Sequence, residues 1–298
     1  MRKLLFLFNP RAGTGKIASG LSKIIDILTK ENFLVSAYPT QAKADAFSKI
    51  LEWDTRFERV VVAGGDGILH EAVNAFMNLE KRPDLGYIPA GTTNDFATSH
   101  KISKKMEDAA KLAAGESRRL IDIGSFGNNY FSYVAAFGVG TDVPYLTDQN
   151  SKNILGPLAY FINALKYVDL KTFSASCRKM KITTDNEIFE GKFVFGIISN
   201  SKSVAGMKQL VPRDSKMDDG LLEGLFVRKP TNIMEADHII NGLLYGNLNN
   251  EGLLSVKSSK FNFETDEKTP WTLDGEDGGT HTFVTIENRR QSLNMLLP

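Results

Sequence analysis

Three glycines and a carboxylate stand together in Gly64-Gly65-Asp66-Gly67, directly after the apolar run Arg59 to Ala63. Glycine has no Cβ to hold an anion off the backbone and accepts the positive φ of a tight cupping turn, so the segment suits the phosphates of a nucleotide. Asp66 sharpens that reading. A carboxylate beside phosphates is repelled unless a cation stands between them, which points to Mg²⁺ held directly or through water. A bare strand-to-helix turn is the competing account of the same four residues.

Two more turns could share this work. Asn9-Pro10-Arg11-Ala12-Gly13-Thr14-Gly15-Lys16 follows the run Leu4 to Phe8, and Pro89-Ala90-Gly91-Thr92-Thr93-Asn94-Asp95 follows Leu85 to Ile88. The first is not a Walker A loop, because Pro10 stands where its first glycine is needed and Ile17 replaces the hydroxyl residue that ligates Mg²⁺. Gly13, Gly15 and Ala18 satisfy G-x-G-x-x-A. The second strand nevertheless ends at Tyr38-Pro39-Thr40 without the acid that holds a dinucleotide ribose, which disfavours a dehydrogenase.

The second half adds two acidic segments. Asp214 to Leu222 can hold a cation through carboxylate and carbonyl oxygens, or be an ordinary solvated turn. Asp274-Gly275-Glu276-Asp277-Gly278-Gly279 sets three carboxylates in a glycine-rich loop after Trp271-Thr272-Leu273. One of them could take the proton of an attacking hydroxyl; a charged hairpin tip fits the spacing equally well.

These residues need elements to position them. Up to about residue 120, short apolar runs (Leu4 to Phe8, Phe33 to Tyr38, Arg59 to Ala63, Leu85 to Ile88) alternate with helical patterns at Ile17 to Lys30 and Ile68 to Asn78, as in a parallel sheet flanked by helices. In such sheets ligands settle at the carboxyl ends of the strands, where all three turns fall. After Arg119 the texture turns to hairpins. Leu120 to Phe126 and Tyr130 to Phe137 flank Gly127-Asn128-Asn129; Phe173 to Thr183 and Ile188 to Ser199 flank Thr184-Asp185-Asn186. Leu221 to Val227, Leu253 to Phe263 and Thr282 to Glu287 follow, with helices at Gly156 to Val168 and Thr231 to Leu244. The expected fold is therefore an α/β domain over 1–125 and a mostly antiparallel, β-sandwich-like domain over 126–288, with the tail 289–298 packing back on the first; one large domain stays open.

Composition narrows the chemistry further. The 298 residues carry 36 Lys and Arg against 35 Asp and Glu, a formal charge of +1 that gives no case for wrapping nucleic acid. Cys177 is the single cysteine, which excludes an intrachain disulfide and a cysteine-built zinc site and favours a reducing, cytoplasmic setting. His70, His100, His238 and His281 are too scattered for a transition-metal site. Leu4 to Phe8 is too short for a signal peptide, and Ile123 to Thr141, though uncharged, is interrupted by Ser125, Gly127, Asn128, Asn129 and Ser132, so contact with a membrane would be peripheral. Exposed aromatics and lysines around Tyr145 to Tyr167 are the candidate patch. A homodimer is compatible with the sequence.

Taken in order, Asn9-Pro10 with Gly13 and Gly15, Gly64-Gly65-Asp66-Gly67, Gly91-Thr92-Thr93-Asn94-Asp95, Asp122 in Ile-Asp-Ile-Gly, Asp219-Gly220 and Asp274-Gly275-Glu276 resemble the diacylglycerol kinase catalytic family, which includes bacterial lipid kinases and sphingosine and ceramide kinases. The likeness spans nearly the whole chain. It implies an ATP-dependent lipid kinase, an α/β nucleotide domain and a β-rich lipid domain. It also implies that Asn9, Pro10, Arg11, Ala12, Gly13, Thr40, Gly64, Gly65, Asp66, Gly67, Ile68, Leu69, His70, Glu71 and Thr92 surround ATP. By the same resemblance Glu276 is the general base, with Asp274 and Asp66 completing the catalytic set; Asp66 and Asp122 with Thr92 nearby belong to a Mg²⁺-water network, and Asp219 with the main-chain oxygens of Lys216 and Leu221 holds a structural Mg²⁺. The chain departs from the family at Ile68 and His70, where Thr and Asn are usual; His70 is either a compensating donor or a surface helix residue. A kinase for a soluble acceptor, such as an NAD kinase, and a nucleotide-binding regulator without catalysis are the rivals.

Overall fold

The computed structural model describes residues 1–53, 56–138, 177–204, 207–248 and 250–298. The patch at Tyr145 to Tyr167, the helix at Gly156 to Val168 and the start of the strand at Phe173 lie outside the described residues. By contact the chain divides into two units, one of Met1–Ile123 with Arg290–Pro298, the other Gly124–Arg289.

In the first unit β1 (Arg2–Phe8), β3 (Arg59–Gly64) and β4 (Asp84–Pro89) are nearly continuous apolar runs and are buried almost end to end, as strands covered on both faces must be. β2 (Phe33–Pro39) pairs in parallel with β1, β1 with β3, and β3 with β4. The chain's last strand arrives beside β4, Met295 pairing in parallel with Leu85. α1 (Lys16–Lys30) buries Ile17, Ile24 and Leu28 along one stripe, and α3 (Asp66–Met77) buries Ile68, Leu69, Ala72, Val73 and Phe76. Two helices were not anticipated: α2 (Asp45–Glu52) and α5 (Met106–Ala114). α5 buries four alanines, and a Cβ on Gly86 of β4 would stand 2.7 Å from the Ala113 Cβ, so this helix docks by smallness rather than by large side chains. Between α3 and α5 lies the one-turn α4 (Asp95–Ser99).

The second unit is mostly antiparallel. β5 (Arg118–Phe126), which begins in the first unit, pairs with β6 (Asn129–Phe131) across Gly127-Asn128, Gly127 at φ 57°. β7 (Val134–Gly138), β8 (Arg178–Thr184), β9 (Ile188–Ser199), β10 (Leu222–Arg228), α6 (Ile233–Tyr245), β11 (Leu253–Ser258), β12 (Lys260–Leu273) and β13 (Glu276–Leu296) follow. β8 pairs with both β9 and β12, and β7 pairs with the other ends of the same two strands, so the ladder closes into a ring around Phe137, Phe193, Phe226, Phe261, Phe263 and Trp271. Three expected strands change their bounds. Tyr130 to Phe137 breaks at Ser132-Tyr133, Leu253 to Phe263 breaks at Ser259, and Thr282 to Glu287 is the middle of a strand of 21 residues. Both breaks are held by a carboxylate: Asp274 takes the N–H groups of Ser132 and Tyr133, and Asp185 takes the N–H of Ser259.

Candidate active site

In the first unit the three turns meet backbone to backbone. A Cβ on Gly13 (φ 57°) would stand 2.2 Å from the Ala90 carbonyl oxygen, and one on Gly91 would stand 2.5 Å from the Gly65 Cα. Ala90 and Gly91 both donate N–H to the Gly64 carbonyl, at 2.7 and 3.2 Å. Asn9 N–H donates to the Ala63 carbonyl at 3.0 Å, and Asn9 Oδ1 accepts the Arg11 N–H at 2.9 Å. Ala12 N–H closes back on the Asn9 carbonyl at 3.1 Å, leaving Pro10 at the crest of that turn, and Thr40 N–H donates to the Phe8 carbonyl at 2.9 Å. The resulting surface is built from peptide groups at strand ends, the one place in an α/β sheet where unpaired N–H groups gather.

Gly65 caps α3 and Asp66 is its first helical residue. The helix N-terminus presents its first-turn N–H groups and the positive end of its dipole at this place. Asp66 Oδ2 accepts the Asp95 N–H at 3.2 Å, which ties the carboxylate to the third turn. Beneath both turns lies Tyr87, fully buried, its hydroxyl 3.2 Å from the Gly64 carbonyl oxygen and 3.3 Å from Asn94 Oδ1. Burial, and then the Asp66 charge, push the Tyr87 phenol well above its ordinary range, so it serves as a neutral donor. Asn94, at φ 53°, bonds both ways to Gly91, accepting its N–H at 2.9 Å and donating to its carbonyl at 2.7 Å. Thr92 is exposed at the crest of this turn.

Four expected nucleotide contacts spend their side chains elsewhere. Leu69 is fully buried, and Ile68 is buried against Gly64, where a Cβ would meet its Cγ2 at 2.8 Å. Glu71 accepts the N–H groups of Ala44 and Ala46 at 2.8 and 3.0 Å and so caps α2. His70 Nε2 lies 3.3 Å from the Asn74 amide one turn along. Leu69, His70 and Glu71 also stand beyond the first turn of α3, where backbone N–H groups pair within the helix.

Asp122 is fully buried, and its Oδ1 accepts the Gln291 N–H at 2.7 Å. Gln291 stands at φ 47°, so Asp122 holds a kink in β13 where that strand enters the first unit. Among the described residues no three His, Cys, Asp or Glu side chains gather as a ready metal cage. The donor set still fits Mg²⁺, which keeps most of its water and takes one or two carboxylates plus phosphate oxygens.

In the second unit the structure gives Asp274, expected in the catalytic set, a structural task. It is fully buried, and its oxygens accept the N–H groups of Ser132 (2.6 Å), Tyr133 (2.9 Å) and Val134 (3.1 Å) and the Ser132 hydroxyl (2.9 Å). Asp274 and Gly275, at φ 49° and 82°, are the whole connection between Leu273 and Glu276, which pair across the hairpin. Positive φ at both central positions is what a type I′ turn requires. The expected loop is thus a two-residue turn, and Glu276, half-buried, opens β13. Asp274 acts as a clamp that fixes where Glu276 begins.

The acidic turn 214–222 leads into β10. Asp219 Oδ1 accepts the Leu221 N–H at 3.1 Å, and the Leu221 carbonyl accepts the Asn288 amide at 3.0 Å. Lys216 is exposed on the same turn. Glu223, two residues on, was not anticipated. Burial first of all, with the Asp219 charge adding to it, pushes its carboxyl up to about 7 against the easing effects of Ser215 and Lys257. The signal was present as a single acid inside the apolar run Leu221 to Val227. Tyr87 was signalled likewise, by a hydroxyl inside an apolar strand.

Residues 3–126 match the family model described as diacylglycerol kinase catalytic domain. Two curated relatives, each named diacylglycerol kinase, are similar over almost their whole length. The one from Staphylococcus carnosus is 31% identical over 282 residues, covering 93% of this chain and 90% of the relative; the one from Bacillus subtilis is 30% identical over 282 residues, covering 94% and 91%. A crystal structure of a diacylglycerol kinase from Bacillus anthracis superposes with a TM-score of 0.81 at 27% identity, covering 100% of this chain and 97% of the other.

Proposed function

The chain belongs to the diacylglycerol kinase family and is a kinase; from that premise we propose that it transfers the γ-phosphoryl group of ATP to a lipid hydroxyl, with diacylglycerol as acceptor and phosphatidic acid as product. The observation that carries this reading is the backbone contact among the three turns at the strand ends, with the Asp66 carboxylate at the start of α3. Peptide N–H groups of Gly65, Asp66, Gly67 and Ile68, with the turns at Asn9 to Gly13 and Gly91-Thr92, cradle the phosphates. Asp66 holds Mg²⁺, and Asp122 and Thr92 hold water around it; when bound, the cation supplies the positive charge that lets carboxylate and phosphate share one place. Glu276, aimed by the Asp274 clamp, accepts the proton of the acceptor hydroxyl. Asp219, with carbonyl oxygens of Lys216 and Leu221, holds a second, structural Mg²⁺. Diacylglycerol stays in its bilayer, so the chain works at a membrane surface; among the described residues no helix is long and apolar enough to cross one.

The test offers radiolabelled ATP to the chain with diacylglycerol in mixed micelles, with NAD and with fructose 6-phosphate. Label in the organic phase supports the proposal. Label on NAD or the sugar phosphate instead would favour a soluble acceptor, and ATP binding without transfer to any of them would leave a regulator.

A further inference from the structure

Glu223 lies on β10 with 2% of its surface exposed, and neither carboxylate oxygen has a hydrogen-bond partner among the described residues. A buried carboxylate normally collects several donors, because an unpaired one loses its hydration without return. Lys257 stands directly opposite on β11, yet its ammonium is spent elsewhere, 2.7 Å from Asp214 Oδ2. The Ser215 hydroxyl, also buried, is close enough to ease the Glu223 charge, though the two do not meet in hydrogen-bond geometry. Asp219 is close enough to oppose it. Under one turn, then, two carboxylates converge, the facing lysine pairs with Asp214, and a buried serine oxygen has no hydrogen-bond partner among the described residues.

We propose that Glu223 is an inward anionic ligand of a hard divalent cation bound beneath the turn 214–221, sharing it with Asp219 and with Ser215 Oγ. The inference rests on the reading of Asp219 as a cation ligand and adds to it the buried charge that this chain carries one strand position inside the sheet. A cation there supplies what no side chain does: it separates two like charges and fills the coordination of three buried oxygens at once. Affinity follows from the same arrangement, since Glu223 is already desolvated and cannot relax toward water when the cation leaves.

The experiment uses the full chain stripped with EDTA, in an Asp66→Asn background and without nucleotide, so that the first-unit site contributes nothing. Thermal unfolding is followed against Mg²⁺, and Mn²⁺ binding is counted by the loss of the free-ion electron paramagnetic resonance signal. With Glu223 intact, the melting temperature rises with Mg²⁺. Glu223→Gln removes the charge but keeps the shape: the stripped protein melts no lower, while half-saturation by Mg²⁺ and Mn²⁺ moves up by about 10- to 100-fold. A residue of merely structural value would lower the melting temperature of both forms together. If Glu223→Gln does not fold, Glu223→Asp, which withdraws the carboxylate by one methylene, weakens Mn²⁺ binding on the same scale. Asp219→Asn abolishes the response. Loss of cation binding in Asp219→Asn alone, with both Glu223 variants titrating as the parent, overturns the role of Glu223 and leaves the site standing. No Mg²⁺ response and no Mn²⁺ binding in the parent overturns both.

Discussion

Two candidate regions, one in each unit, are rigid for opposite reasons. Around Gly64 to Gly67 the geometry comes from atoms that are missing: without a Cβ on Gly13 or Gly91, three turns press together and expose peptide N–H groups. At Asp274 it comes from one side chain with four donors, which bends β6 away from β7 and sets the hairpin from which Glu276 starts. A backbone cradle suits a ligand recognised by charge, whose phosphates are the same in every turnover. A reacting carboxylate needs its direction defined, and the clamp at Asp274 fixes where the strand that carries Glu276 begins. Binding and chemistry should therefore separate under mutation.

Glu276→Gln is the sharpest way to test that separation. Turnover should fall about 10²- to 10⁴-fold, roughly 3–5 kcal/mol of barrier, with ATP affinity and melting temperature nearly unchanged. Turnover at the parent rate would remove Glu276 from the chemistry. Asp274→Ala should act on both quantities, because the buried N–H groups of Ser132, Tyr133 and Val134 lose their acceptor: a loss of about 3–4 kcal/mol in denaturant unfolding, accompanied by low turnover. A stable Asp274→Ala with ordinary stability but no activity would instead restore Asp274 to the catalytic group. Gly91→Ala, crowding the Gly65 Cα, should cost about 1–3 kcal/mol and weaken ATP binding, read by calorimetry, more than it slows bound-state turnover. Asp66→Asn should raise the Mg²⁺ concentration for half-maximal activity about tenfold, and an unaltered Mg²⁺ dependence would end its assignment. The smallest effect belongs to Tyr87→Phe: about 1 kcal/mol of stability and a modest rise in the KM for ATP, because Asn94 and the Gly64 carbonyl lose a shared donor.

Turns that work through backbone were legible because glycine is itself a statement about backbone. The segments around Gly13, Gly65 and Gly91 were found where the structure brings them together, and the apolar runs of β1, β3 and β4 marked the buried strands that end there. Side chains of helix interiors were harder. Glu71 and Leu69 sit in the same motif as Gly65, but one caps α2 and the other enters the core, and local spacing is blind to both. α5 docks through four small alanines on Gly86, a fit that depends on a partner far away in the chain.

Local chemistry, the order of motifs and the strand-end position of the turns followed from the amino-acid sequence by itself, since they depend on residues a few positions apart. Tertiary structure alone decided what each buried acid does. Asp274, Asp122 and Glu223 are all carboxylates, yet the first meets four donors across some 140 residues of chain, the second holds a kink 169 residues away, and the third meets none among the described residues. A carboxylate's function is set by the donors and charges that reach it through low dielectric, and those come from distant segments that only folding brings together.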